Sequence, residues 1–174
     1  MIRGKRVSLR PVERSDLPTL EAWTNDVNAH GAFNMFSLEG KHGLEQGFAK
    51  SGFLDERQGM LLVVTATGEP IGMMNYRQVV YGPNPGSLPY AIGISLLADH
   101  RGQGYGVEAQ QLLAGYLFDT YAIARVEAST DITNIPEQRA LEKAGFTREG
   151  VLRKAQWRAG EWHDLVLYSK LRGE

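Results

Sequence analysis

Arg101-Gly102-Gln103-Gly104-Tyr105-Gly106 is the stretch that decides how this chain reads. Its three glycines follow an apolar run from Tyr90 to Leu97. They precede apolar residues at 109, 112, 113, 116 and 117, the spacing of a helix. The order is strand, glycine loop, helix. A helix start presents unpaired backbone N–H groups and a partial positive charge. Glycine lets that backbone approach a phosphate closely, because no Cβ intervenes. Arg101 adds a fixed positive fork. Residues Arg101, Gly102, Gln103, Gly104, Tyr105 and Gly106 together read as a pyrophosphate cradle.

Working outward, Lys5 to Val12 alternates and reads as a strand ended by Pro11. Ser15 is a candidate cap for a helix over residues 16–27, with Leu17, Leu20 and Trp23 on one stripe. An aromatic-rich loop covers 29–37, and a glycine-interrupted helix is expected near 39–56. Met60 to Ala66 and Ile71 to Val80 form a strand pair around a Thr67-Gly68-Glu69-Pro70 turn. Beyond the glycine loop come a helix near 103–121, a strand from Ala124 to Thr130, and a short helix near 135–144 closed by Gly145. A long hairpin then turns at Ala159-Gly160. The order β-α-α-β-β-β-α-β-α-β-β implies a mixed α/β (α+β) fold with a largely antiparallel sheet.

The 174 residues are expected to form a single domain, 1–174. With a formal net charge of -1 and charges spread over both halves, neither a nucleic-acid nor a membrane surface is indicated. The basic cluster Arg148, Arg153, Lys154, Arg158 reads as the solvated face of a strand. With no cysteine there is no thiolate nucleophile, and the four histidines have no metal-ligand spacing, so no metal is expected. No signal peptide or membrane-spanning run is present in the sequence, which sets the expectation of a cytoplasmic protein.

A dinucleotide fold is the first rival, with Gly104-x-Gly106-x-x-Ala109 as fingerprint and Glu127 as the ribose acid. Ala98-Asp99-His100-Arg101 separates those glycines from the strand, and a doubly wound sheet needs several βαβ units where this chain has one. A P-loop fails for want of Gly-Lys-Ser/Thr.

Arg101-x-x-Gly104-x-Gly106 resembles the acyl-CoA pyrophosphate loop of GNAT-type N-acetyltransferases. Asn134-x-x-Glu137-x-Arg139-x-Leu141-Glu142-Lys143-x-Gly145-Phe146 looks like the second half of the CoA site in the branch that acetylates ribosomal-protein N-termini on alanine or serine. Val7-Ser8-Leu9-Arg10-Pro11 with Asp16 and Trp23, and Glu149 to Arg153 with Asp164 and Tyr168, also look like that branch. The resemblance implies a twisted sheet of about seven strands with helices on both faces, splayed between strands four and five. It implies acetyl-CoA as acyl donor and an amine acceptor, a protein N-terminus or a small molecule, attacking directly in a ternary complex. The pantetheine arm would pair near Ile94 and Leu96, with Asn134 and Arg139 alongside. Without cysteine, an acetyl-cysteine intermediate is excluded.

Three polar positions of the family pattern are altered: Leu141 stands for a tyrosine, Glu137 for a serine and Ala91 for an acid. Glu137 is either a replacement proton acceptor or the partner of Asn134 in a capping box. Asp164 and Tyr168 are the other catalytic candidates, though a Tyr168 among apolar neighbours reads first as core. His163 and His100 read as surface residues with the option of a base. Phe33, Met35 and Phe36 lie where the family covers its acceptor pocket, or plug the core. Arg139 reaches the CoA phosphates or is an exposed helix charge. Trp157 and Trp162 flank the last turn as a pocket rim or as homodimer contacts. The rival of another class is an acyl-CoA-binding module without catalysis.

Overall fold

Apolar residues that alternate, or run unbroken, fold here into strands covered on one face or on both. The computed structural model of the chain describes residues 1–26, 29, 31–34, 38, 40, 42–84 and 87–174. Its strands are β1 (Ile2–Arg3), β2 (Val7–Pro11), β3 (Gln58–Thr65), β4 (Pro70–Gln78), β5 (Tyr90–Leu96), β6 (Arg125–Asp131), β7 (Thr147–Arg158) and β8 (Glu161–Leu171). Its helices among the described residues are α1 (Leu17–Thr24), α2 (Gly43–Ser51), α3 (Tyr105–Thr120) and α4 (Ile135–Lys143). None of them is long and apolar enough to cross a membrane.

The strands form one sheet in the order β1-β2-β3-β4-β5-β6-β8-β7. The count is eight rather than about seven, because the two-residue β1 adds to β2 through Ile2↔Leu9 and Arg3↔Ser8. Leu61 and Val63 enter the core under α3, while Leu62 and Val64 enter the core under α1 and α2. Burial on both faces explains why β3 is unbroken apolar sequence instead of an alternation. Along α3, Ala109, Leu113, Ala114 and Leu117 form the buried stripe.

Two helix boundaries differ from expectation. Before α1 the chain makes a 3-10 turn over Arg14–Asp16, and Asp16, not Ser15, organises the start. Its carboxylate accepts the Glu13 N–H at 2.7 Å and both terminal nitrogens of Arg10 at 2.7 and 2.8 Å. The helix expected over 39–56 is limited to Gly43–Ser51, because Gly52 turns left-handed at φ 63°. At α4 the sequence reading holds: Gly145 has φ 89°, its N–H reaches Glu142 O and Phe146 N–H reaches Leu141 O. Ala159 and Gly160, both at positive φ, make the tight turn between β7 and β8.

One break in the sheet matters most. Among the described residues β5 and β6 are its only parallel neighbours, and they pair at Tyr90↔Val126, Ala91↔Glu127 and Ile92↔Ala128. β5 stays zipped to β4 as far as Leu96, and β6 to β8 as far as Asp131. Held apart by their outer partners, the two strands splay toward their C-terminal ends. In sequence order without β1 these are strands four and five.

Candidate active site

The splay opens a cavity of about 810 Å³. Its walls come from Ile92 to Leu96, Ala128 to Asp131, the glycine loop, α4, and the Gly31 to Asn34 segment. Leu97 N–H pairs with Ile71 O across to β4. By strand alternation, Ile94 and Leu96 turn their own N–H and C=O groups into the gap. The chain uses two of those carbonyls itself: Asn34 Nδ2 lies 3.5 Å from Ile94 O, and Arg101 Nε lies 2.8 Å from Leu96 O.

At one end the cavity meets the start of α3. Gly102 and Gly104 have φ 72° and 84°, and a helical bond runs from Glu108 N–H to Gly104 O at 3.3 Å. The amides before it have no helical acceptor and face outward with the positive end of the helix dipole. A Cβ on Gly102 would stand in open space. Arg139 and Lys143 from α4 line the same end. Positive φ, free amides and two cations fit a pyrophosphate group, and the free edge of β5 fits an extended amide-bearing chain.

Deeper in, α3 and α4 meet through two polar contacts, a long one from Gln111 Nε2 to Lys143 O at 3.4 Å and a shorter one between side chains. Gln110, 1% exposed, donates from Nε2 to Glu137 Oε1 at 2.7 Å. Burial pushes the Glu137 carboxyl up to about 7, against the opposing pull of the Gln110 hydrogen bond. The capping box read from Asn134-x-x-Glu137 does not form. Asn134 makes no side-chain cap bond and instead donates to Thr130 Oγ1 at 3.0 Å. Glu137 turns inward to Gln110 because the i+3 position of α4 faces α3 across the cavity floor.

At the other end, Asp131 closes β6. It is 3% exposed, and its Oδ1 accepts the Thr133 N–H at 2.8 Å and the Thr133 hydroxyl at 2.6 Å. Arg158 pairs with Oδ2, and His163 Nδ1 lies 2.9 Å from the same oxygen. Burial works to raise the Asp131 carboxyl, but the two Thr133 bonds and Arg158 prevail and bring it down to about 2. Arg158, 7% exposed, is therefore a buried ion-pair partner and not part of a solvated strand face. Its guanidinium sits 5.2 Å from the Phe33 ring and donates to Gln156 Oε1 at 2.6 Å. His163 is half-buried in this cluster rather than on the surface.

A family model described as an acetyltransferase (GNAT) domain matches residues 6–147. The chain belongs to the GNAT family. It is an acetyl-CoA-dependent N-acetyltransferase. The probable N-acetyltransferase YjcK of Bacillus subtilis is 28% identical over 171 residues, covering 94% of this chain and 93% of the relative. Two solved structures share the fold. Spermidine N-acetyltransferase from Vibrio cholerae, in complex with CoA and spermine, has a TM-score of 0.82 at 20% identity, with 95% of each chain covered. Ribosomal-protein-S5-alanine acetyltransferase from Vibrio fischeri has a TM-score of 0.78 at 20% identity, covering 99% of this chain and 96% of the other.

Of the residues read from sequence in this GNAT chain, Ile94, Leu96, Arg101, Gly102, Gly104, Gly106, Asn134, Glu137, Arg139 and Phe33 all line one cavity. Gln103 and Tyr105 do not. Gln103 Nε2 turns back to Asp99 O at 2.8 Å, and the Tyr105 ring lies under Arg6 at 5.7 Å. Asp164 and Tyr168 also lie off the lining. Asp164 Oδ1 accepts the Lys154 N–H at 2.7 Å and so holds a bulge of β7, where Lys154 has φ 50°. Tyr168 is fully buried and donates to Glu142 Oε1 at 3.1 Å. Burial, then Glu142, pushes its phenol up. Met35 and Phe36 lie outside the described residues. Glu127, the acid of the dinucleotide rival, is spent on Arg125 at 3.2 Å and on the Tyr81 hydroxyl at 3.0 Å.

Sequence reasoning passed over Gln110, Asp131 and Gln156, and quoted Lys143 without giving it a role. Gln110 did carry a signal, as a polar residue within the buried stripe of α3. Asp131 carried one as well, standing at the C-terminal end of a strand beside a topological break.

Proposed function

We propose that this enzyme transfers an acetyl group from acetyl-CoA to a primary amine, a protein N-terminus or a small molecule, by direct attack in a ternary complex. The observation that carries the proposal is Glu137: a carboxylate poised near neutrality, facing the cavity where the sheet parts. Acetyl-CoA supplies an activated thioester, so that a C–N bond forms to the amine as the C–S bond breaks and the thiol leaves with a proton.

The chain's own groups supply the rest. Backbone amides from Gln103 to Gly106, with Arg139 and Lys143, would hold the pyrophosphate. The outward N–H groups of Ile94 and Leu96 are the available donors for the arm and for the carbonyl oxygen. Glu137 takes the proton that an ammonium must lose before it attacks, a task suited to a group titrating near the working pH. Phe33, Asn34, Ser129 and Gln156 line the side from which the acceptor would enter. This makes Glu137 the functional replacement for the serine of the resembling branch.

The acceptor class is tested by incubating the enzyme with acetyl-CoA and a panel of peptides beginning with alanine, serine or methionine, plus spermidine and simple primary amines. Release of free thiol is followed. Amine-dependent release that Glu137→Gln reduces about 10²-fold or more supports the reading. Release independent of any amine contradicts it.

A further inference from the structure

The first residue of the glycine loop has two of its donors engaged by the chain's own carbonyls. Arg101 Nε donates to Leu96 O at 2.8 Å, and one terminal nitrogen donates to Ala29 O at 3.1 Å. A Cβ built on Gly31 would stand 3.1 to 3.3 Å from the guanidinium atoms, so the flat group lies directly against that backbone. Gly31 has φ 78°, a conformation open to glycine. Two spaced donors thus span from the free edge of β5 to the segment that carries Phe33 and Asn34 into the cavity. The planar guanidinium is pre-organised for two bonds in one geometry, which an ammonium on a flexible stem is not.

We propose that Arg101 is a positioning residue for the amine acceptor: it straps Ala29 and the Gly31 to Asn34 segment to the end of β5. It is not the charge that holds the cofactor's pyrophosphate. That task falls to the loop amides and to the α4 cations. The strap sits at the junction of the two half-sites, so losing it loosens the acceptor side alone. The amine arm of the test rests on the acetyl-transfer reading; the other arms do not.

Arg101→Lys keeps the charge and loses the fork, and Arg101→Met loses both. Gly31→Ala crowds the guanidinium from the other side. Calorimetry with CoA, chymotrypsin cleavage after Phe33 followed by mass spectrometry, and steady-state kinetics with the panel amines are measured for each. As a strap, all three variants bind CoA within about twofold of wild type and are cut at Phe33 several-fold faster, and the amine KM rises about tenfold with little change in kcat. As a pyrophosphate ligand, Arg101→Met instead loses about tenfold in CoA affinity, Arg101→Lys recovers most of it, and cleavage at Phe33 stays at the wild-type rate; that result overturns the proposal. Should the wild type turn over no panel amine, the acetyl-transfer reading fails while calorimetry and proteolysis still decide the strap. Should Arg101→Met not fold by circular dichroism, the lysine and Gly31 variants carry the same comparison.

Discussion

Gln110 Nε2 stands 2.7 Å from Glu137 Oε1, a side-chain bond between the helix that begins at the glycine loop and the helix that follows the parted strand. Gln110 Oε1 has no partner among the described residues. The amide therefore has one group committed to the carboxylate and one in reserve, able to accept a proton-bearing Glu137 after rotation. This pair sets the pH behaviour of the site.

The rate of acetyl transfer is expected to rise through a limb near pH 7, where Glu137 becomes a carboxylate. Glu137→Gln should remove that limb and lower kcat/KM by about 10²-fold or more. A full pH–rate profile of both proteins, with one amine of low pKa to keep its own titration out of the window, checks this. An unchanged limb in the variant assigns the titration to another group.

Gln110→Met should shift the same limb upward, because the Gln110 hydrogen bond lowers the carboxyl against the larger effect of burial. The movement of the limb is the readout. CoA affinity is expected to stay within about twofold, since Gln110 does not line the cavity.

Stability should carry the opposite sign at Glu137 and Asp131. The folded carboxyl of Glu137 lies above its ordinary 4.5, so the native state holds the proton more tightly between 4.5 and about 7. Stability falls as pH rises through that window, by on the order of 3 kcal/mol, and Glu137→Gln should melt higher than wild type above neutrality. Asp131 lies below its ordinary 3.8, at about 2. Its contribution, about 2 kcal/mol, is whole above the ordinary value and is lost as pH falls toward the lower one. Arg158→Met leaves Asp131 buried without its cation and should cost about 3–5 kcal/mol at neutral pH. Urea melts at a series of pH values measure all three.

Gly104→Val should weaken CoA binding at least tenfold, about 1.4 kcal/mol, by calorimetry. Gly104 has φ 84°, which a β-branched residue resists, and a Cβ there would meet the Arg6 guanidinium at 2.7 Å. Wild-type affinity in a folded variant would remove the loop from the cofactor site.

Tyr168→Phe is expected to leave turnover near wild type and to cost about 1 kcal/mol of stability, the worth of its bond to Glu142. A large fall in kcat would reinstate the phenol in the proton path.

The sequence by itself determined the order of elements, the glycine loop at a strand–helix junction, the left-handed cap at Gly145 and the turn at Ala159-Gly160, because each rests on local backbone chemistry. It also placed Glu137, Asn134 and Arg139 on one short segment whose position follows from the strand before it. Only the tertiary structure decided which way their side chains point. Glu137 spacing alone suited a cap, and packing against Gln110 turned it inward. Arg158 and His163 read as surface until Asp131, on a strand far away in sequence, met them. For Arg101, read as a phosphate ligand, the fold brings Ala29 O and Leu96 O within reach of two of its donors. Long-range contacts of this kind have no trace in residue spacing, since the partner that sets a polar side chain's direction lies on another element.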